Sequence, residues 1–266
     1  MQPSPVTVPH HTVRFDWRSR LRAAGIHLAL SGLVAALAAL LVFAVWYPYP
    51  YREISGGRDL FLLVVTVDVI LGPLITFAVF NLAKPRKELR RDLAVVGLLQ
   101  LAGLAYGLWT VHMARPVHMV FEYDRFRVVH QVEIPEEVVG LAPAGIPVAP
   151  PLGPTLLTLR PFKDAKEDQD YTMAALQGLP LSARPDLWQS YETGRPQVLK
   201  AAKPVSQLTS RFPERAAEIE AALRKAGRNA AQASYLPLIA RKAEGWTVLL
   251  DSGTAEVIAY LPLDSF

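Results

Sequence analysis

Three long apolar runs fill the N-terminal part of the chain, and a mixture of short alternating stretches follows them. Ile26–Trp46 carries no Asp, Glu, Lys or Arg, Leu60–Ala83 carries only Asp68, and Leu93–Ala114 has no ionisable side chain of acid or base type apart from His112. A helix rises about 1.5 Å per residue and the hydrocarbon layer is about 30 Å thick, so roughly 20 apolar residues are needed to cross it. Each run meets that length, and the pattern predicts three transmembrane helices. Arg115-Pro116 closes the third, because proline offers no N–H to the helical ladder and restricts the residue before it.

Beyond Pro116 the pattern turns to strands. Val117–Val129 is rich in β-branched and aromatic residues, with a bend expected at Tyr123-Asp124-Arg125, and Thr155–Arg160 reads as another strand after a proline- and glycine-rich surface loop over Pro135–Pro154. Helices are predicted at Ala165–Leu179 and at Glu214–Lys225, the latter opened by Phe212-Pro213 and carrying Ala217, Ile219, Ala222 and Leu223 on one face. Tyr235–Arg241, Trp246–Leu250 and Glu256–Leu263 alternate, and Asp251-Ser252-Gly253-Thr254 forms a hairpin turn between the last two. The fold class expected is a membrane protein: three transmembrane α-helices followed by a soluble α+β domain with a mainly antiparallel sheet. Its parts are a basic N-terminal tail (1–25), a three-helix membrane region (26–114) and the domain (115–266).

Charge adds direction to this plan. Through Ala114 the chain has 11 Lys/Arg against 6 Asp/Glu, and the remainder has 17 against 18, so the net charge of +4 belongs to the membrane half. Helix-flanking arginines facing anionic lipid explain that excess, and a nucleic-acid partner is not indicated. Arg14, Arg18, Arg20 and Arg22 precede the first span, and Lys84, Arg86, Lys87, Arg90 and Arg91 lie between the second and third, whereas the loop between the first and second offers only Arg52 and Arg58. Lys and Arg are retained on the cytoplasmic side, so the N-terminus is expected in the cytoplasm and the domain across the bacterial inner membrane, in the periplasm. Trp46, Tyr47, Tyr49 and Tyr51 are expected to form an aromatic girdle at the outer interface. A cleaved export signal is the rival reading of the first span; that run is too long for one and ends in Val45-Trp46-Tyr47-Pro48, which lacks a small-x-small cleavage site. The chain has no cysteine, which excludes disulfides and thiol chemistry.

Inside the membrane the informative residues are polar or small. An ionisable group such as Asp68 costs roughly 2.5–3.5 kcal/mol there unless paired or neutralised. Tyr106 reaches a similar depth and is the expected partner, while Gln100 is placed nearer the cytoplasmic face with no direct contact to Asp68. Gly72-Pro73 predicts a kink and a carbonyl left free for another partner. Gly103 and Gly107, with Gln100 on roughly the same face, and the four-residue repeat of Ser31, Ala35 and Ala39 are close-packing faces. Two readings stand for this set: residues that hold the helices together, or a site for a partner. A proton relay is disfavoured, since no second acid or base lies at mid-membrane. In the domain, Asp164, Glu167, Asp168 and Asp170 read as a solvated helix start rather than a calcium site. His118 and His130 lack a nearby partner at metal-ligand spacing, and no G-x-S-x-G, H-E-x-x-H or P-loop pattern is present. No enzyme activity, cofactor or metal is therefore expected.

Several strings then combine: Trp46-Tyr47-Pro48, Val67-Asp68-Val69-Ile70-Leu71-Gly72-Pro73-Leu74, Arg91-Asp92-Leu93, Gln100-Leu101, Tyr106-Gly107 and Arg115-Pro116-Val117. In this order and spacing the chain resembles the type IV pilin accessory proteins of the TfpX/TfpZ kind. Tyr235-Leu236-Pro237-Leu238 and the final hairpin are similar more loosely, and Pro135–Leu208 carries no assignable motif. The resemblance implies an inner-membrane, chaperone-like protein that supports the stability or assembly of a type IV pilin, with the pilin (a major or minor subunit), other pilus assembly proteins and the lipid bilayer as partners. The partner-binding candidates are Asp68, Gly72, Pro73, Gln100, Gly103, Tyr106, Gly107, Arg115 and Pro116. The alternative class is a membrane sensor or signalling accessory with an external ligand-binding domain. It lacks a cytoplasmic output domain, the tail being about 25 residues and the inner loop about ten. A membrane enzyme using Asp68 or the histidines has the weakest support.

Overall fold

The protein is described by a computed structural model over residues 16–241 and 245–266. Arg14 and most of the expected basic tail lie outside these described residues. Among the described residues three helices are long and apolar enough to cross a membrane: Trp17–Trp46, Gly57–Val79 and Arg86–Met113. The second ends four residues before the expected Ala83, where Phe80 turns extended and the Asn81 side chain accepts the Ala83 N–H. Two of the spans change helical register. Leu41–Trp46 ends the first span in π geometry, and Val67–Leu71 is a π segment in the middle of the second.

The chain divides into two compact units, one made of the residues up to Ala38 with Leu62–Leu108, the other of Ala39–Phe61 with Trp109–Phe266. In the first, Arg20 Nη1 donates to the carbonyls of Phe77 (3.1 Å) and Ala78 (2.7 Å), giving a cation to the C-terminal end of the second span.

The second unit is built on a sheet of eight strands among the described residues: β1 (Pro116–Glu122), β2 (Arg125–His130), β3 (Thr155–Leu159), β4 (Trp188–Ser190), β5 (Lys203–Pro204), β6 (Ala233–Ile239), β7 (Trp246–Asp251) and β8 (Val257–Leu261). Their order is β4-β3-β1-β2-β6-β7-β8. The β1–β3 and β2–β6 pairs are parallel, and the other five are antiparallel. The mainly antiparallel α+β domain is thus present. Tyr123, at a φ of 56°, makes the expected bend between β1 and β2. β5 and β2 share one edge of β6, with Lys203 opposite Tyr235 and Phe126 opposite Leu238.

Both faces of this sheet are covered. Along β6 and β7, Leu236, Leu238, Val248 and Leu250 enter one core with Met119, Phe126 and Val198, while Ala233, Tyr235 and Leu249 enter another with Val205, Leu208, Ile219 and Leu223 of the helices Val205–Arg211 and Ala216–Lys225. A two-sided core explains why β1 and β6 are buried at nearly every position instead of every second one.

The loop between the first two spans supplies part of that core. Tyr51 (6% exposed) and Ile54 (1%) pack with Met119, Phe126, Leu236 and Val248, and the Tyr51 hydroxyl points at Met119 Sδ at 3.8 Å. Tyr47 is fully buried, donates its hydroxyl to the Val111 carbonyl at 3.1 Å, and covers Gly57 so closely that a Cβ there would strike its ring. The expected girdle is therefore not formed as a set. Tyr47 and Tyr51 are absorbed into the protein interior, Trp46 packs edge-on to His112, and Tyr49 alone of the three tyrosines stays exposed. Burial also holds the Tyr47 and Tyr51 phenols above their ordinary pKa.

Two helices, Tyr191–Ala201 and Val205–Arg211, had no legible signal. Tyr191–Ala201 contains Gly194 and Pro196, both unfavourable inside a helix; Gly194 is needed because a Cβ would collide with Thr158 of β3. Val205–Arg211 is only seven residues long.

The β7–β8 turn is held by Asp251, whose Oδ1 accepts the N–H groups of Gly253 (2.9 Å) and Thr254 (3.0 Å) and whose Oδ2 accepts Arg228 Nε at 2.7 Å. The Arg228 contact leads in holding this carboxyl at about 2, against an ordinary 3.8. A carboxyl with a depressed native pKa contributes stability above its unfolded value and loses it as pH falls through the native one. Acid titration of domain unfolding should show wild type losing stability between about pH 4 and 2, and Asp251→Asn should flatten that limb. Ile54→Ala should destabilise the domain by about 2–5 kcal/mol although residue 54 lies between two spans. Denaturant unfolding of the detergent-solubilised chain measures it.

Candidate functional site

The first unit contains an open groove of about 200 Å³ to which all three spans contribute. Ser31 and Ala35 come from the first span, Val65 and Asp68 from the second, and Gly97 and Leu104 from the third. Its walls are almost wholly apolar. Three of its polar residues, Ser31, Asp68 and Gln100, each stand at or next to the middle residue of their helices, and the fourth, His27, lies one turn from Ser31.

The second span shows how the sequence produces this layer. In π geometry the C=O of residue i seeks the N–H of residue i+5. For Asp68 that position is Pro73, which has no N–H. The carbonyl left over accepts Gln100 Nε2 at 3.1 Å. Gly72 makes room for this bond, since a Cβ at residue 72 would overlap the Gln100 amide. The free carbonyl expected from Gly72-Pro73 is thus found, and its donor is the residue expected to lie out of reach of Asp68. That expectation counted the third span from Leu93; the helix begins at Arg86, which puts Gln100 at its midpoint.

Gly103 and Gly107 continue the seam. A Cβ on Gly103 would lie 3.8 Å from Asp68 Oδ1, and one on Gly107 would strike the Val64 side chain. Asp68, Gly72, Pro73, Gln100, Gly103 and Gly107 are therefore brought together by the second and third spans. Tyr106 is 69% exposed beside this seam, and no hydrogen bond joins it to Asp68 among the described contacts. Arg115 and Pro116 belong to the other unit. Arg115 is 4% exposed, donates to the His112 carbonyl at 2.9 Å and to the Gln131 side chain, and Pro116 opens β1 opposite His130.

Sequence reasoning passed over His27 and Thr76. His27 Nδ1 lies 2.5 Å from Thr76 Oγ1, and His27 lines the groove one turn from Ser31. The signal was there: polar residues at four-residue spacing in an otherwise apolar run.

The polar groups of the domain have structural work. His118 is fully buried between Thr155 Oγ1 (2.7 Å) and the Val148 carbonyl (3.1 Å), and burial pushes it down to about 4. It pins the proline-rich loop as a neutral imidazole. His130, read from sequence only for metal-ligand spacing, has a structural partner three residues on: its Nδ1 lies 3.2 Å from Glu133 Oε1, and Glu133 Oε2 accepts the His130 N–H. A 3₁₀ turn brings them together. Of the acids at the helix start, Asp164 caps the Glu167 N–H at 2.8 Å, and Glu167 takes a two-pronged contact from Arg160 at 2.7 and 2.9 Å.

Fold and groove together define a polytopic membrane protein whose spans frame a polar-centred cleft and whose α+β domain draws on an inter-span loop. The chain belongs to the fimbrial assembly protein family. It is 36% identical over 92% of its length to a fimbrial assembly protein, serogroup I, of Dichelobacter nodosus, and covers 95% of that protein. It is 35% identical, with the same coverage of both chains, to the serogroup E1 protein of that organism, and 43% identical over 42% of its length to the protein of serogroups C1 and C2, of which 86% is covered. The family profile for fimbrial assembly protein FimB matches residues 15–56. No solved structure matches the chain significantly.

Gln100→Ala should weaken the three-span unit by roughly 0.6–1.7 kcal/mol, the range of interhelical hydrogen bonds in membranes. Gly107→Leu should weaken it more, because Val64 occupies the space. Unfolding of the full chain in bicelles by graded denaturing detergent measures both.

Proposed function

We propose that this protein is an inner-membrane accessory of type IV pilus assembly that holds the apolar helix of a pilin in its intramembrane groove, without catalysing a reaction. The family supports the role in pilus assembly, and the observation that carries the docking reading is the groove itself. Three spans would suffice to anchor a domain with their faces closed on one another; here they leave an apolar-walled cleft open. Association of helices in lipid relies on close packing and a few hydrogen bonds, and Ala35 and Gly97 allow close approach while Ser31 and Asp68 offer polar contacts. The N-terminus is cytoplasmic in this reading and the domain periplasmic, where it meets the pilin's folded portion. The charge asymmetry of the loops supports that direction. Chemistry is no part of the role: the buried histidines and the acids of the domain are engaged in holding its loops and helix ends.

A photoreactive residue at Leu101, which lines the groove and is 64% exposed, should capture a pilin in intact cells, whereas one at Leu99, on the opposite side of the same helix, should not. Equal capture at both positions, or capture of a sensor kinase or transporter in place of a pilin, would sink the docking reading. Because the chain has no native cysteine, single introduced ones report topology cleanly. With the outer membrane permeabilised, Asp124→Cys in the β1–β2 turn should react with an impermeant maleimide, and Lys87→Cys only after lysis. The reverse pattern inverts the orientation.

A further inference from the structure

We propose that the groove selects its occupant through a hydrogen-bond donor: the pilin helix it takes presents a hydroxyl or ammonium group to the Asp68 carboxylate at mid-membrane. This rests on the reading that the groove receives a pilin helix. Gln100 has a choice of acceptors on Asp68. A side-chain amide facing an aspartate across two spans could donate to the carboxylate and so offset part of the cost of the most expensive group in the unit. It donates instead to the backbone carbonyl of Asp68, because Pro73 leaves that carbonyl without a donor. The carboxylate is left over. No side chain of the described residues makes a hydrogen bond or ion pair to it, and its Oδ1 lies over Gly103, which has no side chain to offer.

The placement is also specific. Asp68 is at the midpoint of its span, where an unpaired charge costs most, and it faces the cleft together with Ser31 of the first span. A carboxylate serving only to hold the three helices together would be bonded to one of them. One that awaits an incoming group is open on the side from which that group arrives. The charge sets the chemistry: an ammonium neutralises the buried acid, a hydroxyl lowers its cost by donating to it, and a helix with a carboxylate at that depth is repelled. An occupant without a polar group there leaves the cost in place, so the groove distinguishes among apolar helices that would otherwise pack alike.

The test uses the full chain in native membranes with a photoreactive residue at Leu104, and reads the yield of pilin crosslink in wild type, Asp68→Ala, Asp68→Asn and Asp68→Glu. Alanine removes the carboxylate and enlarges the groove, so a loss cannot come from steric blocking. The expected result is a fall of about tenfold for Asp68→Ala, the effect of one charge-assisted hydrogen bond, with Asp68→Glu keeping most of the wild-type yield. Asp68→Asn separates the donors, a hydroxyl tolerating the amide oxygen and an ammonium requiring the charge. Equal chain abundance and an unchanged protease-resistant fragment establish that the variants fold, and Asp68→Glu carries the same control within the series. Wild-type yield in Asp68→Ala would overturn the donor proposal while leaving pilin docking intact. Absence of pilin capture in wild type at both Leu101 and Leu104 would overturn the docking reading and this proposal with it.

Discussion

A backbone carbonyl without a donor, in the middle of a membrane helix, is the constraint on which the three-span unit depends. In water such a group would be solvated; in hydrocarbon it must find a partner within the protein. Pro73 creates the deficit, the π segment at Val67–Leu71 places it on Asp68, and Gln100 resolves it from the neighbouring span. That bond in turn constrains its neighbours. Residue 72 has to be glycine to admit the amide. The third span has to stay close, which Gly107 permits by receiving Val64. The register change also sets the direction of the side chain at residue 68, since one extra residue in a turn rotates the rest of the span by about 100° relative to a continuous α-helix.

The domain answers to a different constraint, the need to cover a sheet on both faces. One side of β6 and β7 is closed by the helices Val205–Arg211 and Ala216–Lys225. The other is closed in part by Tyr51 and Ile54, which arrive from a loop between spans. A chain cut at the end of the third span would keep every strand and lose these two side chains, so the boundary of the folded domain is not the boundary of the membrane segments. Hydropathy reports where a chain can meet lipid. It does not report which interfacial residues turn inward, because a tyrosine suits a bilayer interface and a protein core equally well.

The legible parts of the structure were those governed by local pattern. Apolar length located all three spans, alternation located β6, β7 and β8, and proline at 116 fixed the helix-to-strand change. Where the outcome depends on contacts distant in sequence, the pattern misled or was silent. Gln100 was assigned the wrong depth because the helix extends into the charged Arg86–Arg91 segment, which a hydropathy window excludes. The helix Tyr191–Ala201 was hidden by Gly194 and Pro196, the first of which serves a tertiary contact with Thr158. In the groove, the glycines, the proline and the acid were visible as unusual residues in apolar runs. Their pairing was not, because it depends on a π register that periodicity alone does not reveal.

The extent of the family match bears on how the two units are built. The FimB profile covers residues 15–56, the first span and the loop after it. That segment supplies His27, Ser31 and Ala35 to the groove and Tyr47, Tyr51 and Ile54 to the interior of the domain unit. It furnishes a wall to the first unit and a piece of core to the second, as does the third span, which gives Gly97, Gln100 and Leu104 to the groove and runs through the buried Val111 into β1. Substitutions within the matched segment therefore act on two structures at once, whereas a change on the face of β8 or in the acidic helix start acts on one. The path from Ser31 to Tyr51 ties the groove wall covalently to the residue from which the domain core begins. A tie made by one helix and one short loop is held by the chain itself and needs no packed interface, and the matched segment 15–56 contains the whole of it.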